Sequence, residues 1–230
     1  KVKAVLPETA ADDEGIINYA TKTVIAGGKE YTAESFCSRI AGLLAGTSNK
    51  SSSTYAVLDE VTECEKKKKA ELDTAIEEGK FVLYYDGEKV KVGRGVNSLQ
   101  TVKKGKGNPW KKIRVVEIMD MLHDDLVLLA EDNYIGKYPN TYANKCLLVS
   151  AINSYLAEME RNGMIEDYTI GLDVDAIKDY IIENKGVTRD EAEAMDEAEI
   201  KKQYTDEKVF LSASATLVDV MEDITLDITV

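Results

Sequence analysis

Between residues 113 and 161 the chain carries two apolar stripes at helical spacing, separated by only a few residues. Ile113, Val116, Met119, Leu122, Leu126 and Leu129 recur at steps of three and four, which is one face of a helix, and the pattern runs out near Gly136. Tyr142, Cys146, Leu147, Val149, Ile152, Tyr155, Leu156 and Met159 make the second stripe, which begins at Asn140 and is stopped by Asn162-Gly163. A short connection between two long helices favours antiparallel packing, so the pair is expected to form the core of a C-terminal domain by mutual burial. Ahead of it, Gly105-Lys-Gly-Asn-Pro109 reads as a loop in which Asn108 caps and Pro109 takes the first helical position.

The first hundred residues alternate strand-like and helix-like segments, the pattern of an α/β layer. Val2 to Leu6 and the β-branched run Gly15 to Ile25, closed by Gly27-Gly28, read as extended. Thr32 then opens a helix with Phe36, Ile40 and Leu43 on one face, and Tyr55 to Leu58 reads as a short buried strand. Thr62-x-x-Glu65 has the form of a capping box, opening a second helix through Leu72 and Ile76 to Gly79 with Lys66 to Lys69 as a solvated face. Phe81 to Tyr85 and Val90 to Val92 flank Asp86-Gly87, a pair that supplies the positive φ angles of a hairpin turn. The expected division is therefore residues 1–102 as the α/β layer and 103–230 as the C-terminal domain.

Beyond the long helices, Asp173 opens a third helix that ends near Asn184. Thr188-x-x-Glu191 opens a fourth, through about Tyr204, which has only Ala192, Met195 and Ile200 to bury and so reads as the least anchored. Val209 to Val218 and Ile224 to Val230 read as strands. The latter alternates strictly, with Ile224, Leu226, Ile228 and Val230 on one side and Thr225, Asp227 and Thr229 on the other. Such a strand either pairs inside its own subunit or adds to the sheet edge of a neighbour. At the other end, Lys1 leads at once into an extended apolar pattern, which reads as an internal start with further residues expected before it.

Charge narrows the function classes. A net charge of -13 argues against nucleic-acid binding, which needs a basic surface, and no apolar run approaches the ~20 residues of a membrane span. The charge is also unevenly placed. Lys103, Lys104, Lys106, Lys111, Lys112 and Arg114 occur without an acid among them, whereas residues 173–208 hold twelve acids against six bases, an arrangement suited to steering protein contacts. Cys37, Cys64 and Cys146 are odd in number and far apart, each within a predicted helix, and read as small apolar thiols made in a reducing cytoplasm.

Catalytic patterns are missing. A Ser, His and acid arrangement would have to use the lone His123, which sits in a helix beside Asp120, Asp124 and Asp125, and no Gly-x-Ser-x-Gly turn precedes any serine. Gly42 to Gly46 lacks the Lys-Ser/Thr of a phosphate loop, and Gly93-x-Gly95 lacks a third glycine. Asp173 and Asp175 lack the rest of a calcium loop. No catalytic residue, cofactor or metal is expected.

One combination of motifs remains. Val96-Asn97-Ser98-Leu99, the basic Gly-Lys loop, a long helix carrying Met119-Asp120, and Tyr134-Ile-Gly-Lys-Tyr-Pro-Asn140 follow one another, and Ala45-Gly46-Thr47, Ser53-Thr54-Tyr55 and Leu58-Asp-Glu-Val61 precede them. In this order they resemble the sheath proteins of contractile phage tails, over most of the chain. The resemblance implies a subtilisin-like α/β layer without a catalytic triad, followed by an α+β C-terminal domain with two long helices and terminal strands. It implies a structural subunit that polymerises helically around a tail tube and contracts to drive the tube through a cell envelope, with no bound nucleotide. The particle would be a phage, a prophage element or a bacteriocin, its virion tail sheath assembled in the host cytoplasm.

The implied partners are neighbouring sheath subunits, the tail tube protein, the baseplate and the tail terminator. Terminal arms join subunits in such sheaths, which turns the reading of Ile224, Leu226, Ile228 and Val230 toward an inter-subunit strand. For the tube contact, the acidic segment with Glu191, Glu193 and Glu197 is preferred over the basic loop Lys103 to Arg114. A secretion-system sheath component, and an α/β hydrolase-like enzyme with a helical C-terminal domain, stand as the alternatives.

Overall fold

Short β-branched and aromatic segments gather the apolar residues of the first hundred positions into several small sheets. In the computed structural model, which describes residues 2–229, β1 (Ala4–Pro7) runs parallel to β2 (Ile16–Tyr19) with Ala4 opposite Ile16. β3 (Thr23–Ala26) pairs antiparallel with β4 (Lys29–Thr32) on one side and β5 (Val61–Cys64) on the other. β6 (Lys80–Phe81) joins β2 in parallel, and β7 (Leu83–Tyr85) forms a hairpin with β8 (Val90–Val92). Helix α1 (Ala33–Gly46) lies on β1, and α2 (Lys69–Glu77) packs beside β6. Phe36 and Ile40 of α1 share one buried cluster with Ile17, Tyr19, Val24, Leu58, Phe81, Leu83, Val90 and Val92. Each side chain of this size removed from water contributes about 1.5–3 kcal/mol, so the cluster contributes substantially to the stability of the layer.

Three local expectations are corrected here. The run Gly15 to Ile25 is two strands in different sheets, because the chain turns between them where Ala20 N–H donates to Phe81 O. Tyr55 to Leu58 is no strand. Tyr55 is half exposed at φ +58°, and only Val57 makes a β-bridge, to Lys91. Thr62 and Glu65 do not cap a helix either, since Val61 to Cys64 is drawn into β5 against β3 and buries Val61 and Cys64. Glu65 instead accepts from Lys22 N and Lys67 Nζ, and α2 begins at Lys69, with Glu71 accepting from Lys68 N. Cys64 is therefore a strand residue, while Cys37 and Cys146 are helical. β4 carries no apolar alternation in the sequence, its residues being nearly all exposed, as suits a sheet edge.

The chain divides into two compact units, one holding residues up to Met121 and those from Asp219 onward, the other Leu122–Val218. The division falls within α3 (Ile113–Asn133), which follows a short 3-10 turn at Asn108–Lys111; Pro109 thus serves that turn and not the long helix. In the second unit, α4 (Tyr142–Arg161) is capped by Thr141, whose Oγ1 accepts from Asn144 N, and stops where Gly163 takes φ +69°. It packs on β9 (Ile165–Leu172), which pairs antiparallel with β10 (Leu211–Leu217). β9 had no sequence signal beyond short apolar alternation after the helix stop. Asp173 caps α5 (Val174–Lys185). The Thr188/Glu191 box opens α6 (Arg189–Ala194), but the helix breaks at Met195 and an Asp196/Glu199 box starts α7 (Glu197–Lys201). This segment is better anchored than its sparse stripe suggests, because Ala192 and Ile200 are fully buried with Ile177, Tyr180 and Ile181.

The antiparallel arrangement of α3 and α4 is present, with Tyr155 OH donating to Asp125 at 2.7 Å and Tyr134 OH to Leu147 O at 3.3 Å. Mutual burial is not. Leu126 and Leu129 are only half-buried and Leu128 is exposed, whereas Ile152, Leu156 and Met159 of α4 are buried. Leu156→Ala is therefore expected to cost about 2–5 kcal/mol and Leu126→Ala only about 1 kcal/mol, read as shifts in urea midpoint. Equal shifts would show Leu126 to be a core residue after all.

Candidate assembly surfaces

The end of the described chain combines a free apolar segment with a firmly held base. Residues 218–229 form no strand, and Ile224, Leu226 and Ile228 are 86%, 75% and 75% exposed. The expected strand is thus absent among the described residues, because a strand exists only where a ladder partner is offered and none of the described sheets pairs with these residues. Val230 lies outside the described residues.

Just before this segment, three acids are fastened within the first unit. Glu222 accepts hydrogen bonds from the Ser52 hydroxyl at 2.9 Å, from the Thr54 hydroxyl, and from Lys112 Nζ at 3.1 Å. Arg94 Nη2 donates to Asp223 at 2.6 Å, and Lys112 also pairs with Asp219. Burial alone would push the Glu222 carboxyl up, but the donors from Thr54, Lys112 and Ser52 outweigh it and hold its pKa below the usual range. The basic stretch and the acidic segment 173–208 read as opposed patches for contacts between proteins, yet Lys112 of the basic stretch is engaged within its own unit. Its acidic partners lie at 219–223, a short run with no marker of its own in the sequence.

The rest of the basic stretch is partly spent inside the subunit. Lys106 pairs with Glu14 and sits 4.9 Å from the Trp110 ring centroid, and the buried Arg114 donates from Nε to Asn49 O at 3.0 Å. Lys103 and Lys104 are exposed.

In the second unit, β9 and β10 form a two-stranded sheet, so each strand has an edge without a strand on it, and Ser212 to Thr216 are exposed. Glu191, Glu193 and Glu197 are all exposed as well. Glu191 is engaged by its own cap, accepting from Thr188 N at 2.8 Å and Thr188 Oγ1 at 2.7 Å, and these bonds lower its pKa. Glu197 pairs with Lys201 at 3.0 Å.

Two of the motifs singled out in the sequence staple the fold. Asn97 is fully buried, donating from Nδ2 to Trp110 O at 2.8 Å and accepting from Leu99 N at 3.1 Å. Ser98 binds Ile16 O through its backbone and Asp13 O through its hydroxyl. Asn140 donates to Asp206 O at 2.7 Å and Lys208 O at 2.9 Å. His123 lies exposed with Nδ1 2.8 Å from Asp124. Among the described residues, no three His, Cys, Asp or Glu side chains are disposed to hold a metal, and no helix is long and apolar enough to cross a membrane.

Family models match both parts of the chain: the phage tail sheath C-terminal domain over residues 105–230 and the phage tail sheath protein central domain over residues 1–98. The chain belongs to the phage tail sheath family. It is 38% identical over 227 residues to the tail sheath protein of Clostridium phage phiCD119, a match covering 98% of this chain and 62% of that relative. The sheath-family chain thus spans less than two thirds of the relative's length. It is similar to the crystal structure of the sheath tail protein from Listeria innocua, with 26% identity, a TM-score of 0.66 and coverage of 76% of this chain and 43% of that one. The contracted helical sheath of the anti-feeding prophage shares its fold, with a TM-score of 0.68 at 16% identity, covering 98% of this chain and 60% of that chain. The mixed α/β architecture is therefore that of sheath proteins. In this sheath-family member the Val96-Asn-Ser-Leu and Tyr134 to Asn140 motifs serve to hold the fold.

Proposed function

We propose that the chain is a structural subunit of a contractile tail sheath, which polymerises helically around a tail tube and contracts to drive the tube through a cell envelope. The observation that carries this reading is the apolar, alternating segment 224–229, exposed and in no strand among the described residues, in a chain of the sheath family. Its recipient is the open edge of the β9–β10 sheet in a neighbouring copy, where main-chain hydrogen bonds join subunits while the arm itself stays flexible between them. The neighbouring partners of this reading are sheath subunits, tail tube, baseplate and tail terminator, and its place is the tail of a virion or related particle. The reading also takes residues 1–102 as a subtilisin-like layer without a triad and 103–230 as the C-terminal domain; the parallel β1-β2-β6 sheet beside α1 supports the first part. No observation favours a hydrolase.

Negative-stain microscopy of concentrated protein tests it. Long tubes or sheets are expected, and uniformly small particles at all concentrations would overturn it.

For the tube, we keep the acidic segment as the contact, supported by its exposed carboxylates and by the advantage of charged contacts in an interface that must later release. Glu191 is left out of the test because reversing it would also break the α6 cap. Glu193→Lys with Glu197→Lys is expected to weaken assembly on purified tubes about tenfold at low salt, with the difference from the parent narrowing toward 1 M salt. Unchanged assembly at low salt would move the contact elsewhere.

A further inference from the structure

We propose that Ser52, Thr54, Arg94 and Lys112 form a carboxylate-binding pocket whose ligand is Glu222, and that this pocket fixes the point from which the assembly arm leaves the subunit. The second clause rests on the proposed role of residues 224–230 as an arm; the first does not. The Glu222 side chain is only 6% exposed, yet two residues later Ile224 is 86% exposed. Burial therefore ends within two residues of this carboxylate.

The turn that carries the pocket is also held by contacts that do not involve Glu222. Ser52 and Thr54 sit on one tight turn, in which Ser52 Oγ accepts from Thr54 N at 3.1 Å and Thr54 Oγ1 accepts from Gly95 N at 3.0 Å. A Cβ at Gly95 would come within 2.7 Å of Ser53 Oγ and 3.1 Å of Ser52 Oγ, so glycine is what lets the serine turn lie against this backbone. Tyr55 N donates to Val92 O, which ties the turn to β8. Two hydroxyls and an ammonium then converge on Glu222, Arg94 Nε stands 4.0 Å away, and Asp219 and Asp223 bracket it on Lys112 and Arg94. Charge-assisted hydrogen bonds with little access for water are the stronger kind.

The mechanical consequence follows from chain length. Without the pocket the arm would be tethered at Val218, where N–H donates to Met164 O, and residues 219–223 would become slack. Five residues at about 3.3 Å each add roughly 17 Å of free tether, which dilutes the arm at its target and loosens any pull transmitted through it.

The test is the backbone heteronuclear NOE of the dilute, unassembled chain, which does not depend on polymerisation. Residues 219–223 are expected to match the β-strands in rigidity while 224–229 are mobile. Glu222→Ala should drop 219–223 to the values of the mobile tail, and Lys112→Met, which attacks the pocket from the other side, should do the same. Mobile 219–223 in the parent chain, or ordered 219–223 in both variants, would overturn the pocket. Should the variants free 219–223 while a chain lacking 224–230 still forms tubes, the pocket stands and the arm reading fails.

Discussion

A chain ending at Asp223 is expected to fold normally and to form no tubes. Ile224, Leu226 and Ile228 lie in none of the buried clusters of the subunit and are each at least 75% exposed, so their removal takes nothing from its core. Its unfolding midpoint should match that of the parent chain. Assembly should be lost entirely, since the alternating face is the part that pairs with a neighbour. A one-residue insertion after Asp223 is a sharper variant, because it turns the apolar face of the whole segment to the opposite side of the recipient sheet while keeping composition. Normal tubes from the truncated chain would end the proposal that this segment joins subunits.

Asn97→Ala is expected to destabilise the first unit by about 2–4 kcal/mol. Asn97 is fully buried, and its side chain satisfies Trp110 O and Leu99 N from two directions. Alanine leaves both backbone groups without that partner, and each such loss in a site closed to water costs about 1–3 kcal/mol. Asn97→Asp does not rescue the fold, because it keeps the acceptor for Leu99 but removes the donor to Trp110 and buries a charge. Denaturant unfolding followed by Trp110 fluorescence reads the effect next to the substitution. An unchanged midpoint would mean that water replaces the amide and that the Val96-Asn-Ser-Leu motif is kept for another reason.

Both predictions separate what short-range chemistry dictates from what folding decides. The positions of α1, α3, α4 and α5, the β7–β8 hairpin and the Thr188/Glu191 cap were readable because periodicity, caps and Asp-Gly turns act within a few residues. The order of motifs from Ala45 to Asn140 likewise carries the family in the sequence itself. At Thr62 and Glu65 the same local logic failed, since a helix cap worth about 1 kcal/mol gave way to the ladder and burial that β3 offers Val61 and Cys64. Leu126 carried the right spacing, yet it stays only half-buried, and the burial goes to Leu156. The arm was legible as an alternation at residues 224–230, but not its freedom, which depends on every sheet of the subunit leaving it unpaired. Nor was its anchor legible. Glu222 meets Ser52 across 170 residues and Lys112 across 110, and no pattern along the chain records which of its 42 acids will find the pocket. Sequence sets what each segment prefers within its own reach; which distant donors surround a given carboxylate is decided only when the chain has folded around it.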